Sequence, residues 1–161
     1  MDGSSIRVLV VDDYEPWHRF VSTMLQQQQE LRIVGQVRDG LEAVQQAREL
    51  YPDLILLDIG LPTINGLEAA RRICKCAPQS KILFVSENRS PEIAEEALGT
   101  GAGGYLVKSD AAKELLSAIN AVLEGKRFIS ASLAGHFLAA MTLSTQTMQL
   151  SRMLTLVSGI R

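Results

Sequence analysis

The sequence predicts an α/β fold in which helices cover both faces of a parallel sheet. Short β-branched or leucine-rich runs alternate with helical patterns along the chain, and runs such as Leu54-Ile55-Leu56-Leu57 lack the polar interruptions of a half-exposed strand. A third observation is positional: polar side chains with chemical uses recur where these runs end.

Arg7 to Val11 reads as the first strand. Pro16 suits the first turn of a helix, which runs to about Gln28 and ends in the polar run Gln26 to Gln29. Arg32 to Val37 is the second strand, after which Asp39 caps a helix with Leu41, Val44 and Ala47 on one face. Leu54 to Asp58 is the third strand, and Asn65 caps a helix carrying Leu67, Ala70 and Ile73. Ile82 to Ser86 follows as a strand, with Ser90-Pro91 opening the next helix. Gly104 to Val107 is the last strand, and Asp110 caps a helix with Leu115, Leu116, Ile119, Val122 and Leu123 that ends at Gly125. The result is a doubly wound (βα)5 unit.

Composition narrows the function. The chain has 161 residues, 47% of them hydrophobic, and a net charge of −2, as expected for one globular domain with a small appendage. A slightly acidic balance argues against a whole-surface nucleic-acid footprint. Cys74 and Cys76 lie two apart on a helix, project in different directions and read as reduced thiols, which favours the cytosol. The first residues lack the basic start of a signal peptide. Residues 128–151 carry no Asp, Glu, Lys or Arg, yet their many Ser, Thr and Gln side chains make a membrane span costly.

Asp12 and Asp13 follow the first strand, Asp58 ends the third, Ser86 ends the fourth and Lys108 follows the fifth. The carboxyl ends of strands in an open parallel sheet form the ligand crevice, so these residues converge on one rim. Three carboxylates in one crevice repel unless a cation neutralises them. Mg2+ suits oxygen donors and leaves room for an anionic substrate. Lys108 and the Ser86 hydroxyl are suited to phosphate oxygens, which leaves Asp58 as a nucleophile able to form an acyl phosphate.

The stretches Ile6 to Asp13, Asp53 to Pro62, Asn65 to Glu68 and Gly101 to Lys108 together resemble the receiver domain of bacterial two-component response regulators, in the NarL/FixJ style. The resemblance implies a flavodoxin-like, CheY-like fold with sheet order 2-1-3-4-5. It further implies that Asp58 is the phosphoacceptor, fed by a phosphohistidine on a sensor histidine kinase. Asp12 and Asp13 would hold Mg2+ with Asp58 and the backbone carbonyl of Gly60, and Ser86 and Lys108 would contact the phosphoryl group. Ser86 and Tyr105 would form the switch: Ser86 drawn toward a phosphoryl oxygen shifts its loop, the Tyr105 ring follows, and the surface of the fourth and fifth helices changes for a protein partner or self-association. Pro62 and Gly66 match the turn after the phosphoacceptor. Such a domain is a signalling phosphoacceptor rather than an enzyme beyond its own phosphorylation and dephosphorylation.

Some positions depart from the pattern. Glu87 follows the strand-four hydroxyl where a small residue is usual, and puts a negative charge near the phosphoryl position. Ser109 replaces a common proline, so a cis peptide there would cost about 2.5–4 kcal/mol. The expected division is a lead of residues 1–5, a receiver of 6–128 and a partly helical or weakly ordered extension of 129–161. Leu133, Phe137, Ala140 and Met141 sit at helical spacing in that extension, and Arg152 and Arg161 are its only basic residues, so a helix-turn-helix output and direct DNA binding are not expected from this chain. Two alternatives stand beside this reading. One is a receiver-like interaction module that signals without phosphate, favoured if Glu87 blocks the site. The other is a Mg2+-dependent aspartyl phosphatase, disfavoured because Gly60 stands where such enzymes usually place a second acid.

Overall fold

A computed structural model describes residues 4–137, together with Leu150 and Met153. Strands β1 (Ile6–Val11), β2 (Leu31–Val37), β3 (Leu54–Leu57), β4 (Lys81–Ser86) and β5 (Gly104–Val107) alternate with helices α1 (Glu15–Gln26), α2 (Gly40–Leu50), α3 (Gly66–Cys76), α4 (Pro91–Gly99) and α5 (Ala111–Leu123). A short strand β6 (Phe128–Ile129) follows, and residues 131–137 are helical. All strand pairs are parallel, in the order β2-β1-β3-β4-β5-β6. The predicted α/β class and the order 2-1-3-4-5 therefore hold, with one strand added at the edge.

The apolar runs are continuous because both sheet faces are covered. Successive side chains point to opposite faces, so Leu9, Val11, Ile55, Leu57, Ile82 and Phe84 pack against α2, α3 and α4. Val8, Val10, Leu54, Leu56, Leu83 and Val85 meet Trp17, Val21 and Leu25 of α1 and Leu115, Ala118, Ile119 and Val122 of α5. Burying each such large aliphatic side chain stabilises the fold by about 1.5–3 kcal/mol.

Three predicted caps form. Asp39 accepts from the amides of Leu41 and Glu42, Asn65 from Glu68, and Ser90 from Ile93. The cap predicted at Asp110 does not. A 3-10 turn, Lys108–Asp110, runs directly into α5, so Asp110 has helical rather than extended backbone angles. Its carboxylate instead accepts hydrogen bonds from the Ser130 and Ser132 hydroxyls, both at 2.7 Å. Leu41 also departs from expectation. It is 42% exposed, because Gly40, Ala43, Val44 and Ala47 form the buried stripe of α2 and Leu41 lies about 100° away round the helix. The first helix ends at Gln26, two residues earlier than expected.

Gly66 positions the site directly. A Cβ there would lie 1.9 Å from the Asp58 carbonyl oxygen, so the start of α3 abuts the end of β3 at a distance only glycine allows. Gly125 ends α5 at φ +81°. The expected boundary at residue 128 falls inside β6. Leu133 is buried and Phe137 packs against the same apolar cluster, whereas Ala140, Met141 and the predicted tail of Ser, Thr and Gln lie outside the described residues. Cys74 and Cys76 are free thiols. Among the described residues no helix is long and apolar enough to cross a membrane.

Candidate functional site

The carboxyl ends of β1, β3, β4 and β5 meet in a crevice of about 510 Å³ whose walls include Asp13, Asp58, Gly60, Ser86, Glu87, Asn88 and Lys108. Asp12 lies beneath it, fully buried, and Asp13 is exposed beside it. Every residue predicted to touch metal or phosphate thus stands in or under one cleft. Tyr105 lies behind it, in the core.

The Lys108 ammonium sits between two carboxylates, 2.6 Å from Asp12 Oδ2 and 3.4 Å from Asp58 Oδ2. The closer contact is an ion pair with the buried Asp12 Oδ2, while Asp12 Oδ1 accepts from the Tyr14 amide at 2.9 Å. Asp58 Oδ1 accepts from the Ile59 amide at 2.7 Å. Burial, reinforced by the Asp12 charge and only partly offset by Lys108 and the Ile59 amide, pushes the Asp58 pKa up to about 6. Burial alone would lower the Lys108 pKa, but its bond to Asp12 and the charges of Asp58 and Asp12 outweigh that and hold it above the ordinary lysine value. Lys108 therefore remains a cation at neutral pH.

This cluster has the character of a cation site. Asp12, Asp13 and Asp58 present carboxylate oxygens within 4.8 Å of one another. They are hard oxygen donors, and among the described residues a single lysine faces the two buried acids. Such a donor set fits Mg2+, a hard ion that prefers oxygen ligands.

Behind the cleft a short relay connects Ser86 to Tyr105. The Asn88 amide donates to Ser86 Oγ at 3.1 Å, and the Tyr105 hydroxyl donates to the Asn88 carbonyl at 2.7 Å. The Tyr105 side chain is fully buried, its ring centroid 6.5 Å from that of Phe84. Burial pushes the phenol pKa up. Glu87, the charge that departs from the usual pattern, is exposed at the rim.

Sequence reasoning missed three contributors. Lys108 Nζ lies 5.1 Å from the Trp17 ring centroid, a cation–π contact. Buried His18 places Nε2 2.7 Å from the Asp12 carbonyl oxygen, bracing the backbone that carries both acids, while its Nδ1 has no partner among the described residues. Asn88 joins Ser86 to Tyr105. The usable signal for His18 was a polar residue adjoining the Trp17, Val21, Leu25 stripe of α1; Asn88 acts through backbone atoms, which leave no sequence signature.

The sequence profile of the response regulator receiver domain matches residues 8–120. The response regulator GacA of Pseudomonas viridiflava is 38% identical over 129 residues, covering 80% of this chain and 60% of that protein. The response regulator UvrY of Escherichia coli is 33% identical over 129 residues, covering 80% and 59%. This chain thus spans about 60% of the length of these curated relatives. A LuxR-family two-component response regulator from Aurantimonas sp. SI85-9A1 superposes with a TM-score of 0.81 at 29% identity, over 86% of this chain and 99% of that one. The response regulator domain of Thermotoga maritima CheB gives 0.69 at 35% identity, over 74% and 97%.

Proposed function

The chain belongs to the response regulator receiver family, and from that premise we propose that Asp58 accepts a phosphoryl group from the phosphohistidine of a sensor histidine kinase, in the cytoplasm. The observation that carries this reading is the placement of Lys108 between Asp12 and Asp58 at the mouth of a cleft that also holds Asp13 and Ser86.

An Asp58 carboxylate oxygen attacks phosphorus, the P–N bond to the donor imidazole breaks, and the imidazole keeps the electron pair and takes up a proton. Asp58 is ionised at neutral pH, since its pKa of about 6 lies below 7. The Ile59 amide fixes the carboxylate by holding Oδ1. Lys108 is then positioned to pair with the phosphoryl oxygens, and Ser86 to donate its hydroxyl to another. Asp12, Asp13, Asp58 and the Gly60 carbonyl would hold Mg2+, which when bound neutralises charge on both the acids and the incoming phosphoryl group.

Signalling follows from the relay. When the Ser86 hydroxyl turns to phosphate, the Asn88 amide loses its acceptor, and the loop that holds the Tyr105 hydroxyl is free to change. The protein acts as a phosphoacceptor rather than a turnover enzyme, with a protein partner or a second copy reading the α4-β5-α5 face. Acetyl phosphate with Mg2+ should add one phosphoryl group, seen in the intact mass, and Asp58→Asn should abolish it. No modification of the wild type, or persistence in the variant, would overturn the reading.

A further inference from the structure

The receiver profile stops at residue 120, yet residues 128–137 fold back onto the turn that carries Lys108. On the outer edge of β5, the Phe128 amide donates to the Gly103 carbonyl at 3.1 Å and the Ser130 amide to the Tyr105 carbonyl at 2.9 Å. The next bond of the ladder would need a further backbone carbonyl, but the chain leaves the sheet here. The Ser130 carbonyl accepts from Leu133 and Ala134, which opens the helix of residues 131–137. The Ser130 hydroxyl takes the vacant place and accepts from the Val107 amide at 3.1 Å.

The same hydroxyl donates to Asp110 Oδ2 at 2.7 Å, with Glu114 Oε2 a more distant acceptor at 3.2 Å. Val107 and Asp110 bracket Lys108 at the two ends of its 3-10 turn, so one fully buried side chain holds the turn from both sides. The surroundings are reinforced. The Ser132 hydroxyl also donates to Asp110 Oδ2 at 2.7 Å, and Glu114 accepts from the Ala131 amide at 3.0 Å. Leu133, 2% exposed, packs in the same apolar cluster as Phe84, Ala94, Ala97 and Tyr105.

We infer that Ser130 is a positioning residue for Lys108, acting through the Val107 amide and the Asp110 carboxylate, and that residues 128–137 are thereby coupled to the state of the phosphoacceptor cleft. The inference rests on the phosphoacceptor reading above. Coupling of this kind is reciprocal: a group that shifts Lys108 must alter the docking of residues 128–137, and loosening that segment must alter the cleft.

The test uses the full chain, with acetyl phosphate as donor and phosphorylation followed by intact mass over a range of Mg2+ concentrations. Ser130→Ala should lower the maximal rate about tenfold, since small misplacement of a charge-stabilising group is costly. Ser132→Ala removes the second donor to Asp110 but spares the Val107 bond, and should stay within about twofold of wild type. Ser130→Thr keeps the hydroxyl and should recover the rate. Equal losses in the two alanine variants, or a wild-type rate in folded Ser130→Ala, would overturn the inference while leaving Asp58 as phosphoacceptor. A wild type that takes no phosphoryl group would overturn both. Should Ser130→Ala fail to fold, amide exchange on the wild type decides: beryllofluoride with Mg2+ should change exchange at Val107, Phe128 and Ser130, and unchanged exchange there refutes the coupling.

Discussion

Replacing Asp58 with Asn should make the metal-free protein more stable, although it removes the proposed phosphoacceptor. The folded protein raises the Asp58 pKa from 3.8 to about 6 because burial, and then the Asp12 charge, disfavour the ionised form. A group with a raised folded-state pKa contributes stability that is complete below about pH 3.8 and lost as the pH rises through about 6. At pH 7.5 the folded state therefore bears the whole cost of an ionised Asp58. At 1.36 kcal/mol per pKa unit that cost is about 3 kcal/mol, and relaxation of the Asn variant brings the expected gain to about 1–3 kcal/mol. Urea unfolding in chelator at pH 7.5 should show that gain as a higher midpoint with an unchanged slope, and Tm should rise by roughly 3–10 °C. The advantage should shrink as the pH falls from 6 toward 4. Mg2+ should reverse the order, raising the wild-type Tm more than the variant's. An Asn variant no more stable than wild type at pH 7.5 in chelator would refute the claim that the cleft is electrostatically strained.

Asp13→Asn takes a carboxylate from the cation site without touching the core, so Mg2+ affinity should fall roughly tenfold or more while metal-free stability stays within about 0.5 kcal/mol. Trp17, whose ring centroid lies 5.1 Å from the Lys108 ammonium, should report the titration by its fluorescence. Gly66→Ala drives a Cβ to 1.9 Å from the Asp58 carbonyl oxygen, and urea unfolding should show a loss of about 3 kcal/mol or more. Tyr105→Phe removes the donor to the Asn88 carbonyl; it should cost about 0.5–1.5 kcal/mol and speed amide exchange in the β4–α4 loop, with the phosphorylation rate little changed.

Five strands and five helices were readable because both sheet faces are covered: runs such as Leu54–Leu57 need no alternation, and Asp39, Asn65 and Ser90 announce helix starts by local chemistry. The cleft residues were readable because strand ends in a parallel sheet share one edge. Leu41 misled because its helical face was judged from spacing alone, when small Ala43 and Ala47 are what let α2 approach the sheet. β6 was missed because two residues, Phe128 and Ile129, are too few to carry a strand pattern.

The sequence by itself determined which side chains reach the cleft, since strand order and alternation leave Asp12, Asp13, Asp58, Ser86 and Lys108 nowhere else to stand. Only the tertiary structure decided their electrostatic state and their bracing. Burial and the 2.6 Å approach of Lys108 to Asp12 depend on how far α1, α5 and the β5 turn close over the sheet. Ser130 reaches Val107 and Asp110 across chain separations of 23 and 20 residues, and a hydroxyl whose partners are a distant amide and a distant carboxylate leaves no local pattern to read.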